Sequence, residues 1–151
     1  MNDIILEPVA FVCNSRKEPI DDNWAEVESV IELADSLPAE CFDGIEQFSH
    51  LEIIYYFDKS VKIFTGSEHP REDTRYPKVG IFAQRKKDRP NHIGATIVKL
   101  IEHKGRQLIV KNLDAINNTP VLDIKPVFSE FLPFEKVIQP DWSKDVMKNY
   151  W

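Results

Sequence analysis

A mainly β chain, built as a small antiparallel barrel or sandwich with few short helices, is what this sequence predicts, on three observations. Short β-branched and aromatic runs recur along its length, the clearest being Ile53-Ile54-Tyr55-Tyr56-Phe57. Turn residues separate them, as at His103-Lys104-Gly105-Arg106 between Ile93–Ile101 and Leu108–Leu113, which reads as a hairpin. Helical segments able to serve as crossovers are scarce, which argues against a doubly wound sheet.

Taken in order, Ile5 to Val12 is apolar around Pro8 and predicts a first or edge strand, because proline cannot donate to a ladder. Val27 to Leu33 mixes Glu with Val and Ile in rough alternation, the pattern of a half-buried strand. Asp43 predicts a capped turn through Gly44–Phe48, and Ile53–Phe57 a central strand. From Asp58 to Pro77 the periodicity lapses; so long a loop inside a compact domain is usually functional or mobile. Val79–Ala83, Ile93–Ile101, Leu108–Leu113 and Val121–Ile124 predict further strands, and Ser143 is positioned to cap a helix over Lys144–Tyr150.

The 151 residues fit one domain spanning 1–151, long enough to bury roughly 70% of the unfolded surface. The longest apolar run, Ile53–Phe57, falls far short of the ~20 residues of a membrane span. The start lacks the basic and apolar pattern of a signal peptide, and Cys13 and Cys41 form no Cys-x-x-Cys pair. The expectation is a cytoplasmic protein with free thiols. Charge is uneven: residues 1–58 hold 14 acidic and 2 basic side chains, residues 59–151 hold 11 and 17. An anionic partner would be steered toward the second half.

Common catalytic signatures are missing. Glycines at 44, 66, 80, 94 and 105 spell neither a dinucleotide fingerprint nor a P-loop. His50, His69, His92 and His103 have no partner at ligand spacing, so no metal is expected. No Ser or Cys sits in a nucleophile elbow. Two segments stand out instead. In the first, Val79 to Gly94, a strand runs into Arg85-Lys86-Lys87-Asp88-Arg89 and turns at Pro90-Asn91. Such a loop presents guanidinium forks to a carboxylate or phosphate, and the Asn91 amide can read a ligand edge. In the second, Asn112 to Pro126, Asn117-Asn118 can take positive φ and expose successive N–H groups to a polar ligand. Asp123 lies in an apolar run and calls for a partner such as Lys125 or an arginine.

These segments closely resemble the hallmark blocks of the TrmO/TsaA-like family. Members carry G-V-F-A-x-R, R-P-N-P-I-G and L-D-x-x-D-G-T-P-V-x-D-I-K-P, which stand here as Gly80–Arg85, Arg89–Gly94 and Leu113–Pro126. Gly44-Ile45-Glu46-Gln47-Phe48-Ser49-His50-Leu51 is similar to the family's upstream G-(I/L)-E-x-F-S-H run. Order and spacing match from about Val9 to Pro126.

The resemblance implies a small antiparallel β-barrel, a homodimer, and S-adenosylmethionine-dependent N6-methylation of threonylcarbamoyl-adenosine beside the tRNA anticodon. It places cofactor contacts on Phe57, Asp58, Arg85, Ala95, Asn117, Asn118, Thr119 and Pro120, with Asp22-Asn23-Trp24 in the place of a family P-R-Q segment. Methyl transfer from a sulfonium needs in-line placement rather than a covalent intermediate. Asp114 or Asp123 is a candidate proton acceptor, Asn91 joins them as a candidate catalytic residue, and Lys86, Lys87 and Arg89 are candidate tRNA contacts. Trp142, Tyr150 and Trp151 suggest a dimer interface, or fold back on their own barrel. Departures are the loss of P-R-Q, His92 for the second proline of R-P-N-P, Asn117-Asn118 for D-G, and Asp58 where relatives tend to have histidine. A methyltransferase for a small molecule or another RNA, and a non-catalytic cofactor- or RNA-binding module, are the competing readings.

Overall fold

The computed structural model describes residues 2–151. Eight strands follow in chain order: β1 Ala10–Cys13, β2 Glu28–Leu33, β3 His50–Tyr56, β4 Ser67–Glu68, β5 Val79–Gly80, β6 Ile93–Lys104, β7 Gln107–Lys111 and β8 Pro120–Pro126. Six of them close a barrel in the order β1-β2-β7-β6-β3-β8, and every neighbouring pair, including β8 with β1, is antiparallel. The expected small antiparallel barrel is what forms. Closure leaves these strands no free edge.

Alternation builds the core. Val12 on β1, Ile31 on β2, Leu51 and Ile53 on β3, Val98 on β6, Leu108 and Val110 on β7 and Val121 on β8 are fully buried, while their strand neighbours face outward. Glu28, Glu32 and Glu52 take the outward or half-buried positions, which explains acidic residues inside runs of Val and Ile. The hairpin between β6 and β7 turns on Gly105 and Arg106, with Gly105 at φ 55°.

Three local expectations are corrected. The run from Ile5 pairs only from Ala10 onward: Ile4, Ile5 and Leu6 are exposed, and the ladder begins once Pro8 is passed, with the Val9 N–H donating to the Val121 carbonyl at 2.8 Å. Val79–Ala83 pairs only through Val79 and Gly80, against Glu68 and Ser67. Ile81–Ala83 is a 3-10 turn in which Ile81 alone is buried and Phe82 is 80% exposed, so no second row of contacts sustains a strand. The closing helix α1 spans Asp141–Val146 and starts after Pro140; the Ser143 hydroxyl turns back to the Pro140 carbonyl at 2.7 Å.

Because neighbours alternate in direction, the C-terminal ends of β1, β3 and β7 and the N-terminal ends of β2, β6 and β8 share one rim. The loops 14–27, 57–92 and 112–119 all emerge there. Val127 is tied to His50 at the opposite end (N–H to carbonyl, 3.0 Å), and the chain then returns outside the barrel until Tyr150 reaches the first rim.

Gly94 faces Tyr55 across β3 and β6, and a Cβ there would lie 2.5 Å from the Tyr55 ring and 3.0 Å from Phe57. Gly94→Ala is therefore expected to lower stability by about 2 kcal/mol through overpacking, read from urea unfolding midpoints. An unchanged midpoint would show that the Tyr55 ring yields without cost.

Candidate functional site

All but one of the candidate catalytic, cofactor and tRNA contacts lie on the shared rim or in its three loops; Asp123 is the exception. It sits on the barrel wall opposite Ile54, half exposed and paired with Lys125 at 2.7 Å. The partner expected for it is present, but the strand carries it away from the other candidates.

The loop after β1 and the loop before β8 are stitched together by Asn14. Its backbone N–H donates to Asn117 Oδ1 at 3.0 Å, and its Nδ2 donates to the fully buried Ser29 Oγ at 2.9 Å and the Ala115 carbonyl at 2.8 Å. The N–H groups of Asn117 and Asn118 donate to the carbonyls of Arg16 and Val12, both at 2.7 Å, and that of Thr119 to Ile116 at 3.2 Å. Asn118 takes the expected positive φ of 69°, but these three donors face the protein. The expected cradle of exposed N–H groups is not formed. What the loop offers outward is side chains: Asn117 and Asn118, with Ile116, Lys17, Glu18, Pro19 and Lys59, line a cleft of about 450 Å³.

Asp22-Asn23-Trp24 is likewise committed. Trp24 is buried beneath the Arg16 guanidinium, 4.3 Å from its ring centre. Arg16 also donates to the carbonyls of Asp22 (3.1 Å) and Asn23 (2.7 Å), while Asp22 pairs with Arg71 at 2.8 Å. The Asn23 and Trp24 N–H groups donate to the carbonyls of Asn149 and Tyr150.

In the long connection, Phe57 packs edge-on against Tyr55 with ring centres 5.2 Å apart, and Asp58 is exposed, 3.4 Å from Lys59. The Arg89 guanidinium donates to the Gln84 carbonyl at 2.8 Å, Lys86 pairs with Glu68, and Lys87 with Asp88 at 3.0 Å. The three cations expected to meet RNA thus brace their own loop. His92, which replaces a family proline, is buried and bonds the Lys62 carbonyl through Nε2 at 2.7 Å, tying the turn to the connection. Asn91 holds φ 65° and leaves its amide exposed.

A carboxylate joins the parts. Asp114 Oδ1 accepts from the Tyr55 hydroxyl at 3.0 Å and from the Thr96 hydroxyl, and Oδ2 accepts from the Tyr150 hydroxyl. Burial, then the adjacent Asp114 charge, push both tyrosine hydroxyls well above their ordinary range, so both remain donors at physiological pH. Arg85 donates from Nη2 to the Ala95 carbonyl at 2.5 Å, one residue from Thr96. Asn14, Arg16, Thr96 and the tyrosine hydroxyls escaped sequence reasoning, since none belongs to a motif; a lone asparagine directly after a strand was the only available signal. No group of three His, Cys, Asp or Glu able to hold a metal occurs among the described residues.

Asn14→Ala strips the buried Ser29 hydroxyl and Ala115 carbonyl of a donor and should cost about 2–3 kcal/mol. The expected signature is a lower unfolding midpoint with faster amide exchange at Arg16 and Asn117. Exchange unchanged at those amides would mean the loops are held by other contacts.

The chain matches the tRNA-methyltransferase O N-terminal domain family over residues 12–131. It is 34% identical over 134 residues to a probable S-adenosyl-L-methionine-binding protein of Pyrococcus abyssi, covering 85% of this chain and 70% of that protein. It is 35% identical over 103 residues to the human tRNA (adenine(37)-N6)-methyltransferase, covering 68% of this chain but 23% of the human one. A crystal structure of TrmO superposes with a TM-score of 0.75 at 22% identity, over 91% of this chain and 64% of the other, and shares the fold. The chain belongs to the tRNA-methyltransferase O N-terminal domain family.

Proposed function

We propose that this domain is an S-adenosylmethionine-dependent methyltransferase acting on N6 of an adenosine beside the tRNA anticodon, threonylcarbamoyl-adenosine in the family's characterised reaction. The convergence of three loops on one rim carries the reading, because it gathers Asp22–Trp24, Phe57, Asp58, Arg85, Ala95 and Asn117–Pro120, which are far apart in sequence. The relatives of Pyrococcus abyssi and human named above support it. The rim suits the cofactor chemically: it offers a cation at Arg85, an anion at Asp114, and a cleft within the usual size range of small-ligand sites.

When bound, the cofactor supplies a methyl group on a sulfonium. The protein's part is placement. Asn117 and Asn118 offer amides along the cleft, Phe57 offers a half-buried ring at the start of the long connection, and Asn91 exposes an amide toward an incoming acceptor. Asp123, held by Lys125 on the barrel wall, has no part in this arrangement.

One observation favours a different acceptor, a small molecule or another RNA. Lys86, Lys87, Arg71 and Arg75 are all paired with carboxylates of this same chain, which leaves fewer charges for phosphates. Lys17, Lys62 and Lys78 are the lysines of the three rim loops that form no ion pair among the described residues, and so are free to meet a backbone. Purified protein with labelled S-adenosylmethionine should methylate tRNA from a strain lacking it, and nucleoside mass spectrometry should find the new N6-methyl group. Binding of tRNA should fall log-linearly with salt as counterions are released, and weaken in the Lys17→Glu/Lys78→Glu variant. A flat salt response with no methylated nucleoside would move the assignment to a small-molecule acceptor.

The assembly proposed is a homodimer. Phe131, Phe134 and Ile138 are each more than four-fifths exposed, and Phe131 lines an apolar groove of about 380 Å³ beside the outward Ile97 of β6. Exposed apolar side chains of this size beside an apolar groove suit a self-complementary contact. Sedimentation at micromolar concentration should give a dimer that Phe131→Ser/Ile138→Ser converts to monomer; a monomeric parent protein would refute it.

A further inference from the structure

Asp114 carries an unused acceptor position. An ionised carboxylate offers about four lone-pair sites. Two on Oδ1 are filled by Tyr55 and Thr96, and one on Oδ2 by Tyr150. The residue is half-buried, and no second donor to Oδ2 occurs among the described residues.

Arg85 is anchored beside it. Its Nη2 holds the carbonyl of Ala95, and the next residue on β6, Thr96, holds Asp114 Oδ1. Consecutive Cα atoms are about 3.8 Å apart, so a guanidinium and a carboxylate are secured to neighbouring points of one strand. The Arg85 charge bears on both tyrosine hydroxyls that bond Asp114. Yet the two form no ion pair with each other, and Nη2 is the only Arg85 guanidinium nitrogen with a partner among the described residues.

We infer that Arg85 and Asp114 form a zwitterion clamp, Arg85 taking the α-carboxylate and Asp114 the α-ammonium of the amino-acid end of the ligand. Tyr55, Thr96 and Tyr150 are then positioning residues that fix the carboxylate's orientation. Asp114 serves to hold a cation rather than to remove a proton. This rests on the cofactor reading above and adds which atoms recognise the amino-acid moiety.

Calorimetry with S-adenosylhomocysteine and its desamino analogue, which lacks only the ammonium, separates the possibilities. The unaltered protein should bind the desamino compound at least about tenfold more weakly, the scale of one charge-assisted hydrogen bond. Asp114→Asn should lose that discrimination, binding both compounds within about twofold. Arg85→Gln, at an exposed position, should weaken both compounds together, since both keep the carboxylate. Equal binding of the two compounds by the unaltered protein, or undiminished discrimination in Asp114→Asn, overturns the clamp. Should Asp114→Asn fail to fold, the unaltered protein and Arg85→Gln still decide. Binding of neither compound by the unaltered protein removes the cofactor reading itself.

Discussion

The hydrogen bonds converging on Asp114 tie the loop before β8 to three other parts of the chain. Tyr55 comes from β3, Thr96 from β6, and Tyr150 from the segment that has travelled the length of the barrel outside. A buried tyrosine hydroxyl without an acceptor is costly, so the carboxylate lets a phenol stand in the core at a position pointing to the rim. Gly94 completes the arrangement, since only a residue without Cβ leaves room for the Tyr55 ring. One charge thereby sets the depth of the site's floor and the place where the returning segment docks.

The rim loops satisfy their backbone inward. Asn117, Asn118 and Thr119 spend their N–H groups on the protein, Asn23 and Trp24 spend theirs on the 149–150 backbone, and Asn14 bridges what remains. Four asparagines at this end, Asn23, Asn91, Asn112 and Asn118, hold positive φ, a conformation asparagine tolerates better than most residues. A ligand at this rim therefore meets side chains on a fixed backbone rather than a flexible nest of amides, which favours recognition by a few well-placed groups.

The barrel strands were legible because burial on one face imposes alternation, as in Ile31–Leu33 and Leu51–Tyr55. Failures fell where tertiary partners decide. Val79–Ala83 has strand composition but only two residues find a partner, and Ile4–Leu6 is apolar yet lies outside the sheet. For the site, block order brought to notice loops that the fold gathers on one rim, while the internal pairing of Lys86, Lys87 and Arg89 could not be read from a basic run. Tyr150, expected either at a dimer interface or folded back on its own barrel, does fold back, but nothing local marks a partner 36 positions away.

Closure of the barrel has a consequence for how the molecule is made. β1 waits for β8: Ala10 pairs with Val121, and Asn14 reaches Asn117 across 103 positions. The seam joining the first and last barrel strands spans only two register pairs, Ala10 with Val121 and Phe11 with Pro120. During synthesis the first strand must stay unpaired on this side until most of the chain has emerged, and contacts of such sequence separation slow folding because loop closure precedes their reward. Two of the three rim loops are sewn together across that same seam. A half-made barrel therefore cannot present a finished rim, which is assembled only after the final strand has closed the seam.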